Sequence, residues 1–244
     1  MNPERRTFHY LNVTSELINI PPNAKILDFG CGNGNLVFEF RKKNYQAFGC
    51  DFKFKEGKNV EDLYKKNLIR LIETPYRLPF ENNFFDIVIS DNVFEHVMDY
   101  QPTLSEICRV LRPGGGSLHF FSSRYRFLEV HKNVPFGSII KTKIWFQLWA
   151  YLGIKSNHQR ATGMSTDEII DDNYNYLNKY TNYLKKDDLK KNVLTFFDEV
   201  KFAENYFLKH SDRGKYIYPI CYVFPFIASL YSTFRTRVMY CSKK

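Results

Sequence analysis

The segment Ile26-Leu27-Asp28-Phe29-Gly30-Cys31-Gly32-Asn33-Gly34-Asn35-Leu36 constrains this chain more than any other. It runs a short apolar strand into a helix through a turn with glycine at every second position. Glycine tolerates the sharp backbone conformations such a turn needs and leaves no side chain where the backbone must approach a ligand. The helix that follows offers unpaired N–H groups at its start. A second strand, residues 45–50, ends on Asp51, seventeen residues past Gly34, and a carboxylate at that place suits the hydroxyls of a ribose. A ligand-free turn would ask for similar glycines; the acid makes a nucleoside seat the better reading. Residue 35 is Asn, so the spacing is Gly-x-Gly-x-Gly and not the Gly-x-Gly-x-x-Gly of dinucleotide folds.

Three more blocks follow in order: Leu78-Pro79-Phe80-Glu81-Asn82-Asn83-Phe84-Phe85-Asp86-Ile87-Val88-Ile89-Ser90, then Phe94-Glu95-His96-Val97, then Glu106-Ile107-Cys108-Arg109-Val110-Leu111-Arg112-Pro113-Gly114-Gly115-Gly116. With Asp28 two residues before Gly30, they resemble the class I S-adenosylmethionine-dependent methyltransferases. The branch is the ubiquinone-biosynthesis-type and small-molecule one, and the resemblance covers residues 24–123 best. It implies an α/β, Rossmann-like, seven-stranded, mostly parallel sheet flanked by helices, with the last strand antiparallel. It also implies S-adenosyl-L-methionine as cofactor, released as S-adenosyl-L-homocysteine. Carried over residue by residue, Gly30, Gly32 and Gly34 approach the amino-acid and ribose portions, Asp28 orients the amino group, and Asp51 holds both ribose hydroxyls. Phe52 packs on the adenine face or is plain core. Glu73, in Glu73-Thr74-Pro75-Tyr76, stands one position early for an acid that accepts from the adenine amino group. Ser90 and Asp91 end the fourth strand at the ligand crevice, Ser90 offering backbone and Asp91 either a ligand contact or a helix cap.

Periodicity organises the rest. Phe8, Tyr10, Leu11, Val13, Leu17 and Ile18 share one helical face that Pro21-Pro22 ends, giving an N-terminal helical cap over residues 1–23. Strands at 24–29, 45–50, 68–72, 84–89 and 116–121 alternate with helices at 34–43, 57–66 and 102–111, as parallel strands with right-handed crossovers require. After the fifth strand the alternation breaks. Residues 124–186 are expected to form an inserted helical substrate cap, including a helix at 139–152 and a polar Tyr/Asn/Asp stretch at 167–183. Helix 187–197, strand 199–207, a helix around 220–234 and strand 237–241 return to the core. No Pro/Gly/Ser-rich linker divides the 244 residues, so one domain spanning 1–244 is expected.

Methyl transfer to a hydroxyl needs the acceptor placed against the methyl carbon and a group to take its proton. His131, in Glu129-Val130-His131 after the fifth strand, is the expected catalytic base, with Glu129 orienting it. Arg124 and Arg126 would hold an anionic group of the acceptor; the plainer alternative is that these residues tie the cap to the sheet. His96 sits near the cofactor as a loop support or acceptor contact, and His119, inside a strand, is expected in the core. The Glu-x-His then Pro-Phe order resembles methyltransferases of glycan and natural-product pathways. The expected reaction is therefore O-methylation of a small molecule, a sugar, glycan or lipid-linked precursor. Rival readings are a C- or N-methyltransferase of a quinone-like or amino-bearing metabolite, an RNA or protein methyltransferase, and a non-catalytic cofactor-binding subunit. The aminomethylating motif Asn/Asp-Pro-Pro-Tyr/Phe is replaced by Ser90-Asp91-Asn92-Val93. No metal site is expected from the spacing of carboxylates and histidines.

Composition bounds partners and compartment. The net charge of +9 comes from scattered lysines without a nucleic-acid-binding signature, so nucleic acid is the less favoured partner. Five cysteines, an odd number with no C-x-x-C pair, fit reduced thiols in a cytoplasmic protein. The N-terminus lacks an apolar signal region. The run 217–230 is too short to span a membrane and carries Pro219 and Pro225; it is expected to be a core helix, with a peripheral membrane face as the alternative.

Overall fold

The computed structural model describes residues 2–243. Along the chain these are α1 (Pro3–Ser15), β1 (Lys25–Phe29), α2 (Asn35–Lys42), β2 (Gln46–Asp51), α3 (Val60–Lys65), β3 (Ile69–Leu71) and β4 (Phe85–Asp91), then a 3-10 turn (Phe94–His96), α4 (Tyr100–Val110) and β5 (Leu111–Ser122). Next come α5 (Lys143–Tyr151), α6 (Asn157–Ala161), α7 (Thr166–Lys179), α8 (Lys186–Val193), β6 (Glu199–Phe202), α9 (Glu204–His210), α10 (Tyr218–Val223), α11 (Pro225–Phe234) and β7 (Thr236–Ser242).

The strands make one seven-stranded sheet in the order β3-β2-β1-β4-β5-β7-β6. The five strands from β3 to β5 are parallel, and β7 pairs antiparallel with both β5 and β6. This is the expected Rossmann-like architecture with its antiparallel final strand. Side chains of a strand alternate between the faces of the sheet, and here each face has its own core. Leu27, Phe29, Val88, Phe121 and Met239 pack under α4 and α8 with Phe94, Leu104 and Leu189. Ile26, Ile87, Ile89, Phe120 and Val238 pack under α1 and α2 with Tyr10, Val13, Val37 and Phe40. Central strands buried on both faces explain the near-continuous apolar runs in β1 and β4. The strand order reverses between β1 and β4, which opens a crevice at their carboxyl ends.

Between β5 and α8 a separate cluster, Val134, Phe146, Ala150, Ile169, Ile170 and Leu177, holds α5 against α7. The Thr142 side chain caps α5 by accepting from the Trp145 amide, so that helix begins at Lys143 and not at 139. The polar stretch at 167–183 is largely helix: Ser165 and Glu168 form a reciprocal capping box at the start of α7.

Two expectations are corrected. The strand expected at 199–207 stops at Phe202, where its ladder with β7 ends, and Glu204–His210 is helical. Glu204 and Leu208, four residues apart, are the buried residues of this helix and share one face of it. The run 217–230 is not a core helix. Proline lacks an N–H and disfavours helix in the residue before it, so the helix breaks at Phe224 and restarts at Pro225. Cys221 and Ala228 turn inward to a small cluster with Leu208, whereas Ile220, Tyr222, Val223, Phe224, Phe226 and Leu230 are exposed. Among the described residues no helix is long and apolar enough to cross a membrane, and all five cysteines are free thiols.

Candidate active site

The glycine turn sits at the carboxyl end of β1, and its three glycines all have positive φ: +80° at Gly30, +53° at Gly32 and +69° at Gly34. A Cβ on Gly30 would overlap the Val93 side chain, and one on Gly34 would stand 2.7 Å from Leu63 Cδ1. Asp51 is fixed by the same turn: the Gly32 amide donates to its Oδ2 at 2.8 Å and the Phe52 amide to its Oδ1 at 2.8 Å. A polar cavity of about 310 Å³ opens here, lined among others by Asp28, Gly30, Gly32, Asn33, Lys55 and Asp91. Pro3 and Arg6 of α1 complete its wall. Arg6 Nη1 donates to Asp91 Oδ2 at 2.8 Å, so α1 is tied over the cavity.

The cavity is electrostatically unusual. Asp28 is 2% exposed. Burial pushes its carboxyl pKa up to about 8, the negative charges of Asp91 and Asp51 add to this, and Arg6 opposes it. Asp91 is also raised, chiefly by burial, against the opposing pull of Arg6 and Tyr10. Asp28 and Asp91 line this small polar space, and Asp51 stands next to it, held against the Gly32 amide; such a concentration of carboxyl groups favours a ligand carrying positive charge.

The other residues expected at the cofactor divide. Phe52 is 66% exposed and lies 5.7 Å, ring to ring, from Tyr76, so it is not core. Glu73 is on the exposed turn after β3, its amide donating to the Arg77 carbonyl, and it does not line the cavity. Ser90 is fully buried, and its Oγ bonds His119 Nδ1 at 2.8 Å. Its side chain thus faces the core, leaving only backbone for a ligand. His119 is the core residue expected, its pKa pushed down to about 3 by burial.

On the cap side, the loop after β5 meets the 3-10 turn after β4. His96 and His131 come together with ring centroids 4.7 Å apart, edge to face, and Tyr176 of α7 closes over both. His96 Nδ1 is 2.7 Å from the Tyr180 carbonyl; a carbonyl only accepts, so Nδ1 carries the hydrogen and the neutral ring has its lone pair on Nε2. Burial, with the nearby charges of His96, Lys132 and Lys55, pushes the His131 pKa down to about 4, so the ring is uncharged near neutrality. Its Nε2 is buried without a hydrogen-bond partner. Lys55, which lines the cavity, therefore lies within electrostatic reach of His131.

Glu129 does not orient the imidazole as expected. Its Oε2 accepts from the amides of His131 and Lys132 at 2.9 and 2.8 Å, and its Oε1 accepts from the Tyr183 hydroxyl at 2.8 Å. The approach to His131 Nε2 is 3.9 Å, beyond a hydrogen bond. It holds the turn that carries His131. Arg124 is likewise spent on the fold, donating to the Tyr183 carbonyl at 2.7 Å. Arg126 is half-buried beside Tyr231, whose ionisation its charge favours.

Sequence reasoning missed Arg6, Lys55, Tyr176 and Tyr180, and read Glu95 only as part of a motif. Glu95 is 1% exposed, and neither carboxylate oxygen has a hydrogen-bond partner. The amides of Glu95 itself and of Ser122 favour its ionised form. Burial raises its pKa to about 8, with Asp91 and Glu129 adding to the effect. Against the expectation of no metal cluster, Glu95, His96 and His131 each bring one ligand-type atom within 4.8 Å of the others. Residues 35 positions apart in the chain give no spacing signal.

Comparison with known proteins places the turn and the strands around it. Residues 27–119 match the family described as "Methyltransferase domain". A demethylmenaquinone methyltransferase of Bacillus cereus is 32% identical over 109 residues, which is 42% of this chain and 46% of that enzyme. The chain thus spans about half the length of the curated relatives it matches. The structure of Haemonchus contortus phosphoethanolamine N-methyltransferase 2, solved with phosphomonomethylethanolamine and S-adenosylhomocysteine, superposes with TM-score 0.52 at 15% identity, covering 98% of this chain and 57% of that one. A Haloferax volcanii putative methyltransferase, solved with a methyltransferase activator, superposes with TM-score 0.50 at 16% identity, covering 98% and 91%. At these identities the structures bear on the fold. Residues 27–119, which hold the glycine turn, Asp51 and the point where the strand order reverses, thus match a methyltransferase domain, and the superposed structures share its fold.

Proposed function

We propose that the chain binds S-adenosylmethionine in the cavity at the end of β1 and methylates a hydroxyl of a small molecule seated between His96, His131 and α7. The observation that carries this reading is the His131 imidazole: uncharged, with a bare buried Nε2, on the cap side of the cavity. Bound there, the cofactor would supply a methyl group on a positively charged sulfur that leaves readily, so holding the acceptor in line contributes most of the rate.

The residues fit that ligand. Asp51, fixed by two amides, presents its remaining lone pairs to the ribose hydroxyls. Asp91 faces the ammonium and sulfonium groups, and Asp28 joins it as a carboxylate once the cationic ligand draws off its proton. Gly30, Gly32 and Gly34 let the backbone close around the chain of the methionine moiety, and Phe52 with Tyr76 offers aromatic surface to the adenine. On the acceptor side, Nε2 of His131 takes the hydroxyl's hydrogen, Glu129 holds the turn that carries it, and Tyr176 excludes water.

A sugar, glycan or lipid-linked precursor is the acceptor class we favour, because the cap loop after β5 carries the exposed apolar side chains Phe127 and Leu128 and its start is bonded to α11 through Ser123 and the Thr233 carbonyl. One rival has an observation of its own: the similarity to a demethylmenaquinone methyltransferase favours carbon methylation of a quinone-like ring. Incubating the protein with methyl-labelled S-adenosylmethionine and a fractionated host extract separates the readings. Label in a small molecule, glycan or glycolipid, released as methyl iodide by hot hydriodic acid, supports O-methylation. Label that resists this cleavage supports the carbon acceptor, and label only in RNA or protein overturns the small-molecule class. Cofactor binding with no labelled product in any fraction would indicate a non-catalytic subunit.

A further inference from the structure

The buried polar atoms left without partners converge on one place. Both carboxylate oxygens of Glu95 and Nε2 of His131 are buried and unpartnered, and the ligand-type atoms of Glu95, His96 and His131 lie within 4.8 Å of one another. A buried polar group without a partner calls for an explanation. Lys132, next to His131 in the chain, offers no partner: its Nζ is committed to Asp172 at 2.8 Å. Instead Glu95 faces two imidazoles, and the nearby charges of Asp91 and Glu129 are negative.

We infer that Glu95, His96 and His131 form a three-ligand site for a borderline divalent transition cation such as Zn²⁺, and that this cation binds the acceptor hydroxyl. Two imidazoles and one carboxylate are the donor set of open catalytic sites, in which three protein ligands leave a position for water or substrate. The ligands are prepared for this role. His96 Nδ1–H is held by the Tyr180 carbonyl, the outer hydrogen bond that commonly orients a ligating histidine and directs its other nitrogen at the metal. The His131 backbone is held by Glu129. A cation about 2.1 Å from each ligand needs ligand spacings of about 3–4 Å, so the three side chains close in by about an ångström through rotation about their own bonds.

The inference rests on the reading of this pocket as the acceptor site and deepens it: the cation stands between the hydroxyl and the imidazole in place of a direct hydrogen bond. A hydroxyl bound to the cation becomes more acidic. Its proton leaves to water, the oxygen forms the new O–CH₃ bond, and the C–S bond breaks with its electron pair remaining on sulfur as a neutral thioether. Substrates with a hydroxyl beside a second oxygen, as in a sugar diol or a hydroquinone-like ring, would fill two open positions.

The test is a calorimetric titration of chelator-stripped full-length protein with Zn²⁺, repeated on Glu95→Gln and His131→Ala, with each sample also titrated with S-adenosylhomocysteine. The expected result is one saturable Zn²⁺ site per chain, weakened at least about tenfold in each variant, with S-adenosylhomocysteine binding retained. Co²⁺ in the same site should give a visible absorption band that both variants lose. Absence of a stoichiometric site in the wild type, or a site of equal affinity in both variants, overturns the inference. If Zn²⁺ fails to bind but S-adenosylhomocysteine binds, only the cation is lost; if neither binds, the methyltransferase reading fails first. Should one variant fail to fold, as judged by circular dichroism, the wild-type titration and the other variant still decide.

Discussion

Asp28 and His131 are single residues whose surroundings set what they can do. A carboxyl raised from 3.8 to about 8 keeps its proton over a range in which the unfolded chain has released it. Its contribution to stability is therefore complete below about pH 4 and drains away as pH climbs toward 8. Asp28→Asn removes this titration. The ligand-free variant should lose Tm less steeply than the wild type between pH 5 and 8 in thermal scans, while binding S-adenosylhomocysteine more weakly; superimposable pH profiles would show that Asp28 is not the buried acid described. His131→Ala should leave S-adenosylhomocysteine affinity unchanged and lower turnover of the true acceptor by a factor on the order of 10²–10⁴, measured as initial rates once that acceptor is known. At this scale the sequence was informative wherever chemistry is local. The tight turn through Gly30, Gly32 and Gly34 and the position of Asp51 against it were legible because a strand, a turn and a following acid are contiguous features. Glu129 was misjudged, since no spacing reveals that its oxygens are taken by two backbone amides and Tyr183.

Among the elements, α10 and α11 depart furthest from expectation. An apolar run records what would gain from burial but not whether anything covers it, and here Phe224 and Phe226 remain 50% and 66% exposed. Replacing either with Ser should change the free energy of urea unfolding by no more than about 0.5 kcal/mol, as for ordinary surface positions. A loss of about 3–5 kcal/mol, typical of a buried Phe, would return the segment to the core. The break between the two helices was present in the sequence as Pro225. The switch from β6 to α9 was harder to see, because Val200, Phe202, Tyr206 and Phe207 satisfy a strand pattern and a helix pattern about equally over so short a stretch.

Over the whole molecule, the sheet and its two cores follow from hydrophobic alternation, and the polar cavity follows from where the strand order reverses. The acceptor side does not. Residues 94–96, 129–131 and 176–183 meet because the segment after α7 returns to the loops that follow β4 and β5, the Asn182 amide donating to the Glu95 carbonyl and the Tyr183 hydroxyl to Glu129, and α1 reaches the same crevice from the far end of the chain through Arg6 and Asp91. The central claim is that this crevice is a S-adenosylmethionine site governed by Asp51. Isothermal calorimetry of S-adenosylhomocysteine with the wild type and with Asp51→Ala tests it most directly. The expected result is one site per chain that loses on the order of 2 kcal/mol, about thirtyfold in affinity, in the variant, as removal of a charged hydrogen-bond acceptor should cost. No binding to the wild type, or equal binding to both proteins, would contradict it.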